Sequence, residues 1–256
     1  MSAKNSAFST AWKIIVGVLV ALLILILVVE MGLRWFLSSQ MSKQFEAEGA
    51  GKPEISFGST PLVFGLPRGE FSELNMTTPS TLQVTEDSIT GQPATEIHIK
   101  GLKAGEEPIA RELVTTSTLP DDFLLVTLQQ GITEQSGFKS LGNMVITNIT
   151  ANQAEDILDV EFGGGLFSLS LDPQVVDGNL AFAATSSKLL AWELPADATA
   201  SISNALTEGM KNQLPAGNMR FEDVQVLDGE IALTMRGENV NLNEMESQYS
   251  TPALNS

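Results

Sequence analysis

From Ile14 to Val29 the chain runs IIVGVLVALLILILVV, sixteen residues without a charge. Wound as a helix, this run covers about 24 Å, and its continuation through Glu30 to Leu33 reaches the roughly 20 residues that a bilayer core requires. Trp12 before it and Trp35-Phe36 after it stand where amphipathic rings settle at headgroup depth. The pattern predicts a transmembrane signal anchor over 14–37 behind a short cytoplasmic tail, residues 1–13. No small-residue cleavage site follows closely, the first small stretch being Ala47–Gly51, so a retained anchor is preferred to a cleaved signal peptide. Lys4 and Lys13 precede the run with no acid, which places the N-terminus inside and the folded part outside the cytoplasm. Glu30 lies four residues before Arg34, the order and spacing of a helical ion pair.

Beyond the anchor, Leu33, Phe36, Leu37, Met41 and Phe45 recur at helical spacing, and Gly49-Ala-Gly-Lys-Pro53 ends the stripe. Residues 38–53 are therefore a juxtamembrane helix and hinge. The period then changes to two. Glu54–Phe57 predicts a short strand, and further strands follow at Phe71–Thr77, Thr81–Thr85 and Glu96–Lys100. Between the first two, Gly58–Gly69 carries Leu62, Val63, Phe64 and Leu66, but its glycines and prolines predict no regular element. Leu158, Val160 and Phe162 alternate with acids, and Phe167, Leu169 and Leu171 with serines, across Gly163-Gly-Gly165; this predicts a hairpin with one buried face. Asp177-Gly178 is a second turn, before Leu180, Phe182 and Ala184. A closing hairpin carries Val224 and Val226, turns at Asp228-Gly229, and returns through Ile231, Leu233 and Met235.

Two helices interrupt the strands. One is expected around Leu119–Gly131, with Pro120 in its first turn and Asp121-Asp122 complementing its dipole. The other is expected over Asp197–Leu214, with Ile202, Leu206, Met210 and Leu214 on one stripe. The fold class is α+β, with one extracytoplasmic domain over 54–243 and a disordered tail over 244–256.

Charge narrows the partners. Past Glu30 the chain holds 12 Lys and Arg (14 less Lys4 and Lys13) against 30 acids (31 less Glu30), a formal −18. Such a surface repels nucleic acid, so no nucleic-acid partner is expected. The absence of cysteine removes disulfides, thiolate metal sites and thiol nucleophiles. His98, the single histidine, falls between Ile97 and Ile99, on the strand face opposite both, and no Gly-x-Ser-x-Gly elbow accompanies it. Gly163-Gly-Gly165 precedes a strand rather than a helix, which argues against a phosphate loop. Acid pairs at Glu106-Glu107, Asp121-Asp122 and Glu155-Asp156 arise readily in so acidic a chain. Asn75-Met-Thr77 and Asn148-Ile-Thr150 match glycosylation acceptors, relevant only in a pathway that modifies them. The expectation is a protein without enzymatic activity, catalytic residue, metal or cofactor; no protein partner is named by the residues.

Three stretches resemble one family. Ile55–Leu74 is similar to its early strand, Gly/Pro-Leu loop and following strand; Ile109–Leu128 to a strand leading into a helix; Leu214–Val224, through Gly229 to Asn241-Leu242, to its closing hairpin. Taken in order, they identify the chain as resembling the LmeA-like phospholipid-binding proteins of actinobacterial cell envelopes over roughly 30–243. The resemblance implies an elongated, curved antiparallel sheet wrapped around amphipathic helices, TULIP-like, enclosing an apolar groove for phospholipid and serving envelope maintenance. Where the family tends to show Phe-Pro-Leu-like residues, this chain has Ser59-Thr-Pro-Leu62. The expected lipid-binding side chains are Leu62, Phe64, Phe71, Leu158, Val160, Phe162, Phe167, Leu169, Phe182, Ile202, Leu206 and Met210. The expected partners are phospholipid and membrane. The competing reading is an envelope scaffold whose outer domain has no lipid cavity.

Overall fold

One helix, α1, runs unbroken from Asn5 to Ala47 in the computed structural model of the chain. The structure describes residues 5–47, 51–85, 88–136, 145–189, 192–193 and 218–244. The expected helix over Asp197–Leu214, with Ile202, Leu206 and Met210, and the tail beyond residue 244 lie outside these.

After α1 come β1 (Glu54–Phe57), the single-turn helix α2 (Leu62–Gly65), β2 (Glu70–Thr78), β3 (Gln83–Val84), β4 (Ile89–Thr90), β5 (Ala94–Lys103) and β6 (Ile109–Pro120). Helix α3 (Asp121–Ser136) follows, then β7 (Ile146–Asn152), β8 (Ile157–Phe162), β9 (Phe167–Val176), β10 (Asn179–Leu189), β11 (Trp192–Glu193), β12 (Met219–Leu227) and β13 (Glu230–Asn241).

The strands form two principal antiparallel sheets where one was expected. The first has the order β1-β2-β5-β6-β13-β12, the second β11-β10-β9-β8-β7, and β3-β4 form a small ribbon. The second sheet is a meander inserted between β6 and β12, so the closing hairpin returns to pair with β6 across more than a hundred residues, Thr116 opposite Thr234. The alternating residues of the central hairpin meet as expected: Leu158 faces Leu171, Val160 faces Leu169 and Phe162 faces Phe167. Asp177 and Gly178 both take positive φ, 53° and 76°, the conformation a two-residue hairpin turn demands and glycine accepts without strain.

Two local expectations need correction. Gly58–Gly69 is not irregular throughout: α2 and a 3₁₀ turn over Leu66–Arg68 occupy its second half, closed by Gly69 at φ 67°. Pro120 is the last residue of β6, opposite Glu230, and α3 begins at Asp121. Pairing of β6 with β5 stops at Thr118, so Pro120 has a strand on one side only, an edge position where a missing N–H donor is tolerated.

Two apolar cores result. One fills the space between the second sheet, β12–β13 and α3, around Ile146, Val160, Leu169, Leu180 and Ile231. The other lies between the first sheet, α1 and α2, around Phe57, Leu62, Leu74, Leu113 and Val240, with Leu37 and Met41 of α1 packed against it.

Candidate functional site

Between α3, the second sheet and β13 lies a cleft of about 60 Å³ lined by eleven residues. Leu119, Leu124 and Leu128 come from the β6–α3 segment, Ile149, Leu158, Val160, Leu171 and Phe182 from the second sheet, and Ile231 and Leu233 from β13. The eleventh, Thr127, is the one polar member; its Oγ1 is buried without a hydrogen-bond partner.

Polar contacts pin α3 over this cleft at two places. Gln129 is buried, and its Nε2 donates to the Ile146 carbonyl at 2.7 Å. At the helix start a closed ring of hydrogen bonds joins both sheets: Asp121 N–H donates to the Gly229 carbonyl, Gly229 N–H to the Ala151 carbonyl, and Ala151 N–H to the Asp121 carboxylate at 3.1 Å. Each member stands two residues from a lining side chain, namely Leu119, Ile231 and Ile149. Burial pushes the Asp121 carboxyl above its ordinary range, opposed by the Ala151 hydrogen bond and assisted by the charges of Asp122, Asp228 and Glu230.

Of the side chains expected to touch lipid, Leu158, Val160 and Phe182 line the cleft. Leu169 is fully buried in the same core, and Phe162 and Phe167 pack on each other at 4.9 Å near the hairpin end. Leu62 and Phe71 belong to the other core, Phe71 with its ring 6.1 Å from Phe57. Phe64 is 64% exposed. The structure therefore does not bring these three to the cleft. The other eight lining residues are not marked by local pattern: periodicity shows that Ile149, Leu171, Ile231 and Leu233 have a buried face and that Leu124, Thr127 and Leu128 are helical, but not that α3 and β13, paired with β6 at Leu119, close over the second sheet.

A larger depression of about 630 Å³ opens beside Asn218, Arg220, Glu222, Arg236, Glu238 and Asn239. It is an ion-paired surface: Arg236 donates to Glu222 at 2.7 Å and to Glu112, which also accepts from Lys100 at 3.1 Å. Lys100 first, then Arg236, hold the Glu112 carboxyl below its ordinary range. His98 is exposed, with Nδ1 2.9 Å from Asn75 Oδ1, on the face opposite the buried Ile99. Among the described residues no three His, Asp or Glu side chains converge to hold a metal.

Comparison with family models decides the class. Residues 28–236 match that of the LmeA-like phospholipid-binding family, most of the chain. The chain belongs to the LmeA-like phospholipid-binding family. Comparison with curated proteins and with solved structures finds no match. The LmeA-like match begins within α1, two residues before Glu30, and ends at Arg236 on β13, so it takes in the whole cleft lining and both cores but for Val240 and Leu242 of the second, which lie beyond it.

The end of the fold against α1 is built as closely as the cleft. Arg34 Nε donates to Glu30 Oε1 at 2.7 Å, the i,i+4 pair expected from the spacing. Arg34 also donates to the carbonyls of Phe57 (2.8 Å), Gly58 (2.7 Å) and Thr60 (3.2 Å). Glu30, 7% exposed, accepts from the amides of Leu62 (2.8 Å) and Val63 (3.2 Å). Pro61 offers α2 no side-chain cap, so a carboxylate from another helix satisfies its first amides. By length and composition, α1 is apolar enough to cross a membrane, the stretch Leu23–Lys43 meeting that measure among the described residues.

Proposed function

We propose that this chain is a membrane-anchored, extracytoplasmic phospholipid-binding protein that holds or moves lipid in the cleft under α3 for cell-envelope maintenance, without catalysing a reaction. The cleft carries the reading: ten of its eleven lining residues are apolar, and burial at about 0.8 kcal/mol per CH₂ retains an acyl chain without a charged clamp. Its present volume, about 60 Å³, falls well short of the roughly 300 Å³ of a small-molecule site. Loading therefore lifts α3 from the second sheet, and Thr127 Oγ1 gains a partner in the ester region of the lipid. The membrane crossing falls before Glu30, over Ile14–Val29, because Glu30, Arg34, Leu37 and Met41 face the folded domain.

The test is photo-crosslinking. The full chain in detergent receives phospholipid bearing a diazirine on its acyl chain, and adducts are mapped by peptide mass spectrometry. Adducts on Leu124, Leu128, Phe182 or Ile231, diminished by Phe182→Trp, are expected. Adducts confined to residues 14–29 would leave the scaffold reading in place of lipid binding.

A further inference from the structure

Resting on the reading of α1 as a membrane anchor, we propose that the domain stands on the bilayer, with Phe64 inserted in the lipid interface beside Met31, Trp35 and Phe36, held there by the Glu30–Arg34 clamp.

Three observations converge on a lipid surface as the occupant. The first is depth. Glu30 follows the last residue of the apolar run and grips the loop carrying Phe64 two residues beyond the Leu62 amide, so Phe64 sits at the level where the run ends. The run's sixteen residues span about 24 Å against a hydrocarbon core of about 30 Å, and a short span draws its flanking residues inward.

The second is exposure. Met31 is 72% exposed, Trp35 73% and Phe36 53%, and Phe64 at 64% is the most exposed large apolar side chain outside α1 among the described residues. Aromatic rings in that setting favour headgroup depth. The third is charge. Over residues 30–69, Arg34, Lys43, Lys52 and Arg68 balance Glu30, Glu46, Glu48 and Glu54; residues 70–256 hold eight basic against 27 acidic side chains, what remains of 14 and 31 once Lys4 and Lys13 are also set aside. The end at the membrane is neutral, and an anionic lipid surface repels the remainder, which keeps that end downward.

The clamp makes this a fixed posture. Arg34 spreads its guanidinium over three backbone carbonyls and Glu30 takes two amides, so the loop is held through its backbone. A planar fork of this kind is not reproduced by lysine.

Because the chain lacks cysteine, single-cysteine spin labelling reads the posture directly. The full chain, in vesicles of phosphatidylcholine and phosphatidylglycerol, carries a nitroxide through Phe64→Cys, Val20→Cys or Glu155→Cys, and its accessibility to oxygen and to a water-soluble nickel chelate is compared. Labels at 20 and 64 are expected to favour oxygen and the label at 155 the chelate. Adding Arg34→Met should reverse the order at 64 and leave 20 unchanged. If circular dichroism shows that variant misfolded, Arg34→Lys replaces it with the same expected reversal. A chelate-accessible 64 with 20 in lipid overturns the docking while the anchor stands. A 64 that stays in lipid in the Arg34 variant overturns the clamp. A chelate-accessible 20 overturns the anchor reading, and the posture with it.

Discussion

Asp121 is the residue whose role local sequence conveys least. Its position at the start of α3 accounts for a helix-dipole contribution, and Asp122 alone serves that end locally, its Oδ1 accepting from Phe123 N–H at 2.8 Å. Asp121 reaches instead to Ala151 on β7. Its carboxyl is raised on folding, chiefly by burial and further by Asp122, Asp228 and Glu230. A raised acid binds its proton more tightly folded than unfolded, so its ionisation opposes folding at neutral pH, and that opposition fades as pH falls through the folded value. Asp121→Asn keeps an oxygen for the Ala151 amide and removes the charge. We expect the variant to melt at or above the parent at pH 7, with any advantage shrinking toward pH 4 in paired thermal melts; a lower melting point at pH 7 would show that the ionised carboxylate holds the two sheets better than a neutral amide does. Leu169 invites a different experiment. Fully buried opposite Val160, it is packed core, and Leu169→Ala should lose about 2–5 kcal/mol in denaturant titration. A loss below about 1 kcal/mol would instead return it to a lipid-facing surface.

At the scale of elements, α1 is one 43-residue helix whose two parts have different neighbours. Its early turns are apolar in sequence, while from Glu30 onward it is also part of the second core, through Leu37 and Met41, with Ser42 Oγ donating to the Pro53 carbonyl at 3.1 Å. The boundary of the folded unit therefore lies within the helix, before Glu30. A chain beginning at Val28 retains the clamp; one beginning at Ser38 leaves the amides of Leu62 and Val63 and three carbonyls without their charged partners, at roughly 1–3 kcal/mol for each group left buried. The shorter chain should melt earlier and be cut faster by protease within 58–66, and equal melting of the two would show that water replaces the clamp without loss. The single turn α2 exists on the same terms: four residues do not sustain a helix alone, and Glu30 supplies what the local sequence lacks.

For the whole molecule, the two sheets meet along β12–β13, which pairs with β6 in one and packs over the other. Outer-face charges run across the first sheet as Lys100, Glu112, Arg236 and Glu222, one from each of four successive strands; such exposed pairs order the surface more than they stabilise it. The sequence by itself determined the apolar run, the Glu30–Arg34 pair, the antiparallel hairpins with their turn residues, the placement of His98 on an outer face, and the family. These are local matters, set by side-chain period, backbone freedom at glycine and spacing along a helix. Only the tertiary structure decided that the strands divide into two sheets, that Leu62, Phe64 and Phe71 stand apart from the cleft under α3, that β13 lines that cleft, and that Asp121 and Glu30 bond to distant backbone. Alternation shows that a strand has a buried face and is silent about what covers it. In this chain the covering is chosen by pairings between residues more than a hundred positions apart, whose loop-closure entropy is offset only by the assembled core.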